Sequence, residues 1–214
     1  MFKKATIQNT KSKILLYGQS GTGKTTFALG SGLKTALVDM EKGSIHYGNL
    51  YDFDVIHCTG YKSFKLAVEE ICKIQTEYEV LIIDPLTQFW NFVQKSWKKL
   101  LKRDELKPQD WVNMKDDYNY FLNIIINLDM HIICIAREAT LYKDKGFMVK
   151  DGYKPDTEKG TNYFFDTTIR FFQDNNEYYC CVEKDKTQTI NIINKPFELK
   201  KEKRVELIQK LLKI

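Results

Sequence analysis

The sequence contains little arginine, no paired cysteine motif and no long apolar run. The basic residues are almost all lysines, and arginine occurs only at Arg103, Arg137, Arg170 and Arg204. The five cysteines form no C-x-x-C pair and no metal-binding spacing, so we interpret them as small hydrophobic residues of a protein from a reducing, cytoplasmic compartment. Because no run approaches ~18 apolar residues and the N-terminus lacks the apolar segment of a signal peptide, we expect neither membrane insertion nor export.

Length and charge leave the class of partner open. A chain of 214 residues, of which 43% are hydrophobic, can bury a full core. Since no internal repeat and no linker divides it, we predict a single domain over residues 1–214. The net charge of +5 permits a polyanionic partner without requiring one. The histidines share no ligand spacing and are interpreted as structural or surface residues; they are His46, His57 and His131.

The most specific motif is a glycine-rich segment close to the N-terminus. It reads Gly18-Gln19-Ser20-Gly21-Thr22-Gly23-Lys24-Thr25-Thr26 and fits G-x-x-x-x-G-K-[ST], the phosphate-binding P-loop. An apolar, strand-like run precedes it and a helical pattern follows it, as this motif requires. Backbone N–H groups between the glycines can surround a phosphate, Lys24 can reach the β- and γ-phosphates, and the Thr25 hydroxyl can ligate Mg²⁺. The motif therefore predicts binding of a nucleoside triphosphate.

Strand and helix patterns alternate along the rest of the chain. Predicted strands cover residues 13–17, 35–39, 55–58, 79–84 and 131–136, and an antiparallel pair covers 167–172 and 178–182. Helices are predicted at 24–29, 63–76, 86–101 and 108–128, with an amphipathic C-terminal helix at 197–214. Residues 1–12 are predicted to form an edge strand or an arm, and 141–160 a hairpin or a mobile basic loop. Alternating elements indicate an α/β sandwich around a mainly parallel sheet.

Two acidic positions follow strands of this sheet. Asp84 ends an apolar strand, where a carboxylate at the ligand-binding edge can hold Mg²⁺, so we predict Thr25 and Asp84 as the metal ligands. Glu41 lies just beyond the strand at 35–39 and can polarise an attacking water. From spacing alone, Asp39 is an alternative for this role.

The order of the motifs resembles that of the RecA-like P-loop ATPases of phages, in particular the Sak-type group associated with single-strand annealing and recombination. The similarity spans about residues 13–190. It rests on the P-loop, on Leu37-Val38-Asp39-Met40-Glu41-Lys42-Gly43-Ser44, on Val80-Leu81-Ile82-Ile83-Asp84-Pro85-Leu86-Thr87, on Ile133-Cys134-Ile135-Ala136-Arg137-Glu138, on Tyr153-Lys154-Pro155-Asp156, and on Val182-Glu183-Lys184-Asp185-Lys186-Thr187. The resemblance implies a RecA-like three-layer sandwich and a hydrolase that uses ATP and Mg²⁺.

The resemblance also implies roles for residues outside the P-loop. RecA-like enzymes carry a catalytic glutamate after the second strand, which implies Glu41. Basic residues near the far end of the sheet reach the γ-phosphate of a neighbouring subunit, which implies Lys184 and Lys186 and a ring or filament of identical subunits. Arg137 resembles a sensor position, although the family more often has histidine there.

Single-stranded DNA and other phage recombination proteins are the partners that the resemblance implies. Loops that mix lysine with aromatic residues pair with phosphates and stack on bases. We predict such contacts from residues of the 141–160 segment, namely Tyr142, Lys143, Lys145, Phe147, Lys150 and Lys154, with Tyr153 among its aromatics. The basic and aromatic stretch from Trp90 to Trp111 is interpreted instead as core packing with a lysine-rich exterior.

Three other functions use the same motif. A small P-loop kinase is disfavoured because the 141–160 segment lacks the arginines of an acceptor-binding lid. A partner that binds nucleotide as a switch, without catalysis, is a second alternative. A DNA motor is a third, and no appended nuclease or helicase domain supports it. The prediction that the nucleotide is ATP rather than GTP rests on the resemblance.

Overall fold

The computed structural model describes residue 4 and residues 10–144, 148–191 and 193–214. Within these residues, nine strands form one sheet, in the order β3-β2-β4-β5-β1-β7-β8-β9, with β6 paired to β5. The strands are β1 (Lys13–Gly18), β2 (Thr35–Asp39), β3 (Asp54–His57), β4 (Val80–Asp84), β5 (His131–Asp144), β6 (Met148–Pro155), β7 (Thr167–Asp174), β8 (Glu177–Asp185) and β9 (Phe197–Glu198). Strands β1 to β5 and β7 pair in parallel, whereas β6, β8 and β9 are antiparallel to their neighbours.

Helices cover both faces of the sheet. They are α1 (Lys24–Leu29), α2 (Tyr61–Ile74), α3 (Leu86–Leu100), α4 (Asp110–Ile126) and α5 (Lys201–Leu212). The helices α2, α3 and α4 pack on one face, and α1 and α5 pack on the other. The predicted fold class is confirmed: a three-layer α/β sandwich with a mainly parallel sheet and an antiparallel strand pair.

The central strands are apolar on both sides because both sides are covered. In β4, Leu81 and Ile83 contribute to the core under α2–α4, while Val80 and Ile82 contribute to the core under α1 and α5. Aromatic rings fill the larger core, where Phe64 of α2 stacks on Phe89 of α3 with ring centroids 4.0 Å apart. Trp90 and Trp97 pack against the same core, as the sequence predicts.

The 141–160 segment contains paired strands. β5 continues eight residues past its predicted end at Ala136, and it pairs with β6 from Glu138 opposite Pro155 to Asp144 opposite Met148. Of the two predicted alternatives the hairpin is therefore correct, and the mobile loop is wrong for residues 141–144 and 148–155. The predicted DNA contacts Lys145 and Phe147 lie outside the described residues.

The C-terminal helix starts later than predicted. Phe197 pairs with Cys180 and Glu198 with Tyr179, so these residues form the edge strand β9, and α5 begins only at Lys201. Its buried residues Leu207, Ile208, Leu211 and Leu212 face the sheet. In the part of the chain that the structure describes, no helix has both the length and the apolar character that crossing a membrane requires.

Of the predicted arm at 1–12, residue 4 and residues 10–12 are described. Ser12 is buried, and its backbone N–H donates a 3.0 Å hydrogen bond to His131 Nδ1. The Ser12 hydroxyl donates a 2.7 Å hydrogen bond to the Leu211 carbonyl of α5. Ser12 thus joins the start of β1 to β5 and to the C-terminal helix, and the structural role predicted for His131 is confirmed.

Candidate nucleotide-binding site

The glycine-rich segment forms the turn between β1 and α1, at the carboxyl edge of the sheet. Gly23, the residue before α1, has a φ of 84°, which favours glycine. At Gly18, a Cβ atom would overlap the carbonyl oxygen of Phe171 on the neighbouring strand β7. These positions require glycine for different reasons, namely backbone conformation at Gly23 and close strand approach at Gly18.

This turn borders a cavity of about 740 Å³. Ligand pockets for small molecules typically measure about 300–1,000 Å³, so the volume fits a nucleotide. The P-loop residues that line it are Gly18, Gln19, Ser20, Gly21, Gly23, Lys24, Thr25 and Thr26. Thr22 does not line the cavity: it is buried, and its hydroxyl donates a 2.8 Å hydrogen bond to the Gln19 carbonyl. Its role is therefore to brace the loop.

Lys24 lies inside the P-loop. Its Nζ donates a 2.9 Å hydrogen bond to the Gly18 carbonyl and a further bond to the Gln19 carbonyl. Burial lowers the pKa of Lys24, and the nearby carboxylate of Asp84 partly opposes this shift. The Lys24 ammonium group is thus held against the backbone of the P-loop, and a phosphate bound by the loop would contact this ammonium group.

Thr25 and Asp84 are in direct contact. The Thr25 hydroxyl donates a 2.7 Å hydrogen bond to Asp84 Oδ2, and burial raises the pKa of Asp84 to about 6. Among the described residues no group of three or more histidine, cysteine, aspartate or glutamate side chains could hold a metal ion. A hydroxyl and a carboxylate suit Mg²⁺ that takes its other ligands from water and phosphate, so the pair fits a Mg–nucleotide complex.

Asp39 and Glu41 have different environments. The Asp39 carboxylate is buried and accepts hydrogen bonds from the Ser44 backbone N–H and hydroxyl and from the Glu41 N–H. Burial by itself would raise the pKa of Asp39, but the hydrogen bonds from Ser44, Glu41 and Lys42 together lower it below its ordinary value. Glu41, whose side chain is 39% exposed, lines the cavity and pairs with Arg137. Both residues line the cavity, but the Asp39 carboxylate is occupied by hydrogen bonds within its turn, whereas the Glu41 carboxylate is more exposed and pairs with Arg137.

Arg137 lies beside the P-loop on the neighbouring strand. In the parallel register of β1 and β5 it is opposite Gly18, and its backbone N–H donates a 2.9 Å hydrogen bond to the Thr87 hydroxyl. Its guanidinium ion pairs with Glu41 at the edge of the cavity. The sequence predicts Arg137 at this edge of the sheet, and in the structure it lines the cavity beside the P-loop.

The family assignment agrees with this geometry. A protein-family profile described as "AAA domain" matches residues 10–205, which is most of the chain. The chain belongs to this AAA-domain family. No curated protein sequence matches it.

A comparison of structures identifies the fold of this AAA domain. The crystal structure of the RadB recombinase matches with a TM-score of 0.54 and 14% sequence identity, covering 86% of this chain and 84% of that chain. At this identity the similarity concerns the fold, which is the RecA-like P-loop fold.

At the wall of the cavity of this AAA domain, a largely buried ion pair joins β5 to β7. Arg170 Nε donates a 2.6 Å hydrogen bond to Glu138 Oε2, and the Glu138 side chain is only 4% exposed. The same guanidinium lies 3.8 Å from the ring centroid of Tyr153 on β6. Glu138 follows Arg137 directly and also lines the cavity, so the pair connects the cavity wall to the β5–β6 hairpin. The sequence alone did not indicate this pair.

Lys184 and Lys186 lie at the opposite edge of the sheet. Because β8 is antiparallel to β7, Lys184 near its end is level with Thr168 at the start of β7. Its Nζ donates a 2.7 Å hydrogen bond to the Phe165 carbonyl, and Lys186 Nζ donates one of 3.3 Å to the Tyr163 carbonyl. Neither lysine lines the cavity of its own chain, so any contact with nucleotide requires a second subunit.

The hairpin presents lysines and one exposed aromatic ring in its described part. The Tyr142 side chain is exposed, Lys143 Nζ is 3.4 Å from Asp151 Oδ2, and Lys154 is exposed. Lys150 Nζ lies 4.1 Å from the ring centroid of Tyr153. Since Tyr153 also contacts Arg170 and packs against the core, it is not an open stacking surface, contrary to the expectation from sequence.

Two cavity residues come from the C-terminal part of the chain and were not predicted. They are Tyr178, near the start of β8, and Arg204, on α5. No motif includes them. In the sequence, Arg204 stands out only because the chain has so few arginines.

Proposed function

We propose that this protein is a Mg²⁺-dependent ATPase that acts on single-stranded DNA in recombination or annealing, as the resemblance to Sak-type phage ATPases implies. The observation that carries the proposal is the contact between Thr25 and Asp84 at the mouth of a P-loop that also holds Lys24. Asp84 is 59 positions from Thr25 in the sequence, and its approach to the P-loop at one cavity supports binding of a nucleoside triphosphate with its metal.

Each side chain has a distinct part in the proposed reaction. Lys24 binds the β- and γ-phosphates, and Thr25 and Asp84 hold Mg²⁺, which neutralises phosphate charge when bound. Glu41 accepts a proton from the water that attacks the γ-phosphorus, and the bond from that phosphorus to the bridging oxygen breaks to give ADP and phosphate. Arg137, beside Glu41, supplies a cation at the same end of the cavity.

The assembly belongs to the same proposal. Residues 1–214 form one ATPase domain, and identical subunits associate as a ring or filament in which Lys184 and Lys186 reach the nucleotide of the next subunit. The distance of these lysines from the cavity of their own chain is compatible with a role between subunits. The lysines of the β5–β6 hairpin provide the positive charge for a single strand.

The experiment that tests the proposal is ATP hydrolysis with Mg²⁺, in the presence and absence of single-stranded DNA. The wild-type protein should hydrolyse ATP slowly alone and faster with DNA, and Lys24→Ala should abolish both rates. Transfer of phosphate to an added nucleotide or metabolite would instead identify a kinase. ATP binding without hydrolysis under any condition would identify a nucleotide-dependent switch.

A further inference from the structure

Part of the wall of the proposed nucleotide cavity is formed by residues that no P-loop motif includes. Tyr178 and Arg204 form this part of the wall, and Arg204 lies next to Gly23 of the P-loop. A Cβ atom placed on Gly23 would lie 3.6 Å from Arg204 Nη1. The C-terminal helix therefore contributes a guanidinium directly beside the phosphate-binding turn.

Contacts with the backbone, an aromatic ring and the core position Arg204. Its Nε donates a 3.1 Å hydrogen bond to the Leu199 carbonyl, and its Cζ lies 5.4 Å from the ring centroid of Tyr178. Ile208, one turn further along α5, is fully buried in the core and anchors the helix. Within the described part of the chain no carboxylate pairs with Arg204. Its terminal nitrogens are thus available to a ligand in the cavity.

The P-loop fixes the direction in which a nucleotide lies. Lys24 reaches the β- and γ-phosphates, and Thr25 with Asp84 defines the metal end. Thr26 and Arg204 both lie beside Gly23, at the end of the P-loop where α1 begins, and we place the nucleoside on this side. There is space for it, because a second cavity of about 820 Å³ adjoins the first and shares Thr26 and Arg204 with it.

The chemistry of this wall matches a nucleobase. A guanidinium is planar and stacks on aromatic surfaces, and its terminal N–H groups can donate to ribose or base oxygen and nitrogen atoms. We propose that Arg204, supported by Tyr178, binds the nucleoside of the bound nucleotide, with the base stacked on the guanidinium. This inference rests on the proposed nucleotide binding and adds a role for α5, which thereby closes one side of the site.

The test compares two ligands on the full chain. ATP carries a base and ribose, whereas inorganic tripolyphosphate carries only the phosphates. With Arg204→Ala, calorimetry should show about tenfold weaker binding of ATP, as the loss of one cation–π contact implies, and unchanged binding of tripolyphosphate. Lys203→Ala is the matched control, since Lys203 is an exposed cation on the same helix, and it should bind both ligands as the wild type does.

Arg204→Lys separates stacking from charge, and it serves as the test if Arg204→Ala does not fold. Lysine keeps the charge but lacks the planar group, so ATP binding should remain weak. Equal weakening for ATP and tripolyphosphate, full rescue by lysine, or no change in Arg204→Ala would each overturn the inference. If the wild-type protein binds tripolyphosphate but not ATP, or neither, the proposed nucleotide binding itself fails.

Discussion

Thr25 Oγ1 donates a 2.7 Å hydrogen bond to Asp84 Oδ2, although the two residues are 59 positions apart in the sequence. The contact forms because β1 and β4 both pair in parallel with β5, so the turn after β1 and the end of β4 lie at the same edge of the sheet. The Thr25 hydroxyl and the Asp84 carboxylate thus lie together beside the place where the P-loop would bind the phosphates of a nucleotide.

Asp84→Asn tests the metal site. The amide keeps the size of the side chain but removes its charge, so Mg²⁺-dependent hydrolysis should fall by about 10²-fold or more, because the metal stabilises charge on the phosphates. Nucleotide affinity measured in EDTA should stay unchanged, since the P-loop is intact. An unaltered dependence of the rate on Mg²⁺ concentration would show that Asp84 does not hold the metal.

Glu41→Gln tests the proposed base. Loss of a general base typically costs about 10²–10⁴-fold, so single-turnover hydrolysis should slow by that factor while ATP binding persists. Asp39→Asn is the contrasting variant, because the Asp39 carboxylate accepts three hydrogen bonds within its turn. It should mainly lower the free energy of unfolding, by about 1–3 kcal/mol. Normal hydrolysis by Glu41→Gln would assign the base elsewhere.

A mixing experiment tests whether active sites are shared between subunits. Lys24→Ala and Lys186→Ala should each be inactive alone. Mixed in equal amounts, they should form complete sites at roughly a quarter of the head-to-tail interfaces and regain a corresponding part of the activity. A mixture that is as inactive as its two components would place Lys186 outside the reaction. The stability of Lys186→Ala serves as the folding control, since Lys186 also contacts the Tyr163 carbonyl.

The described lysines of the hairpin should contact single-stranded DNA through its phosphates. Replacing Lys143, Lys150 and Lys154 with alanine should weaken binding and reduce the slope of log K against log salt by about 2, given about 0.7 per contact on single strands. The control replaces Lys95, Lys98 and Lys99 of α3, which removes the same charge. Fluorescence anisotropy with a labelled oligonucleotide at several salt concentrations measures the affinity of both triple variants. Equal effects of the two triple variants would indicate a non-specific contribution of charge.

His131 should make stability depend on pH. Its pKa is lowered from 6.5 to about 4, mainly by burial and further by Lys11 and Lys13. Between these values the unfolded chain binds a proton that the folded chain does not, so stability falls as pH falls, by about 2 kcal/mol from pH 7 to pH 5. His131→Asn can keep an acceptor for the Ser12 N–H but does not titrate in this range. Urea unfolding of this variant should therefore show a smaller decrease in the free energy of unfolding from pH 7 to pH 5. The same loss in this variant would assign the effect to other groups.

Much of the fold and part of the site followed from local patterns. Short stretches of sequence show the P-loop, the strand that ends at Asp84 and the alternation of strands and helices. Phosphate binding and burial of a strand on both faces each limit which residue types can occupy neighbouring positions, so both leave a local pattern. The hairpin was ambiguous, since its lysines and glycines obscure the periodicity of β5 and β6. The start of α5 was misplaced, because Phe197 and Glu198 join the sheet through pairing with β8, which local propensity does not show.

The sequence by itself determined that a phosphate-binding turn lies between a strand and a helix and that an acidic residue ends a buried strand, because these features depend on neighbours in the chain. Only the tertiary structure decided which side chains share the cavity. Arg137 reaches Glu41 across 96 positions through the parallel register, and Arg204 reaches the P-loop because α5 packs on the same face as α1. Such contacts depend on sheet order and helix packing, which are set by burial of apolar surface over the whole chain.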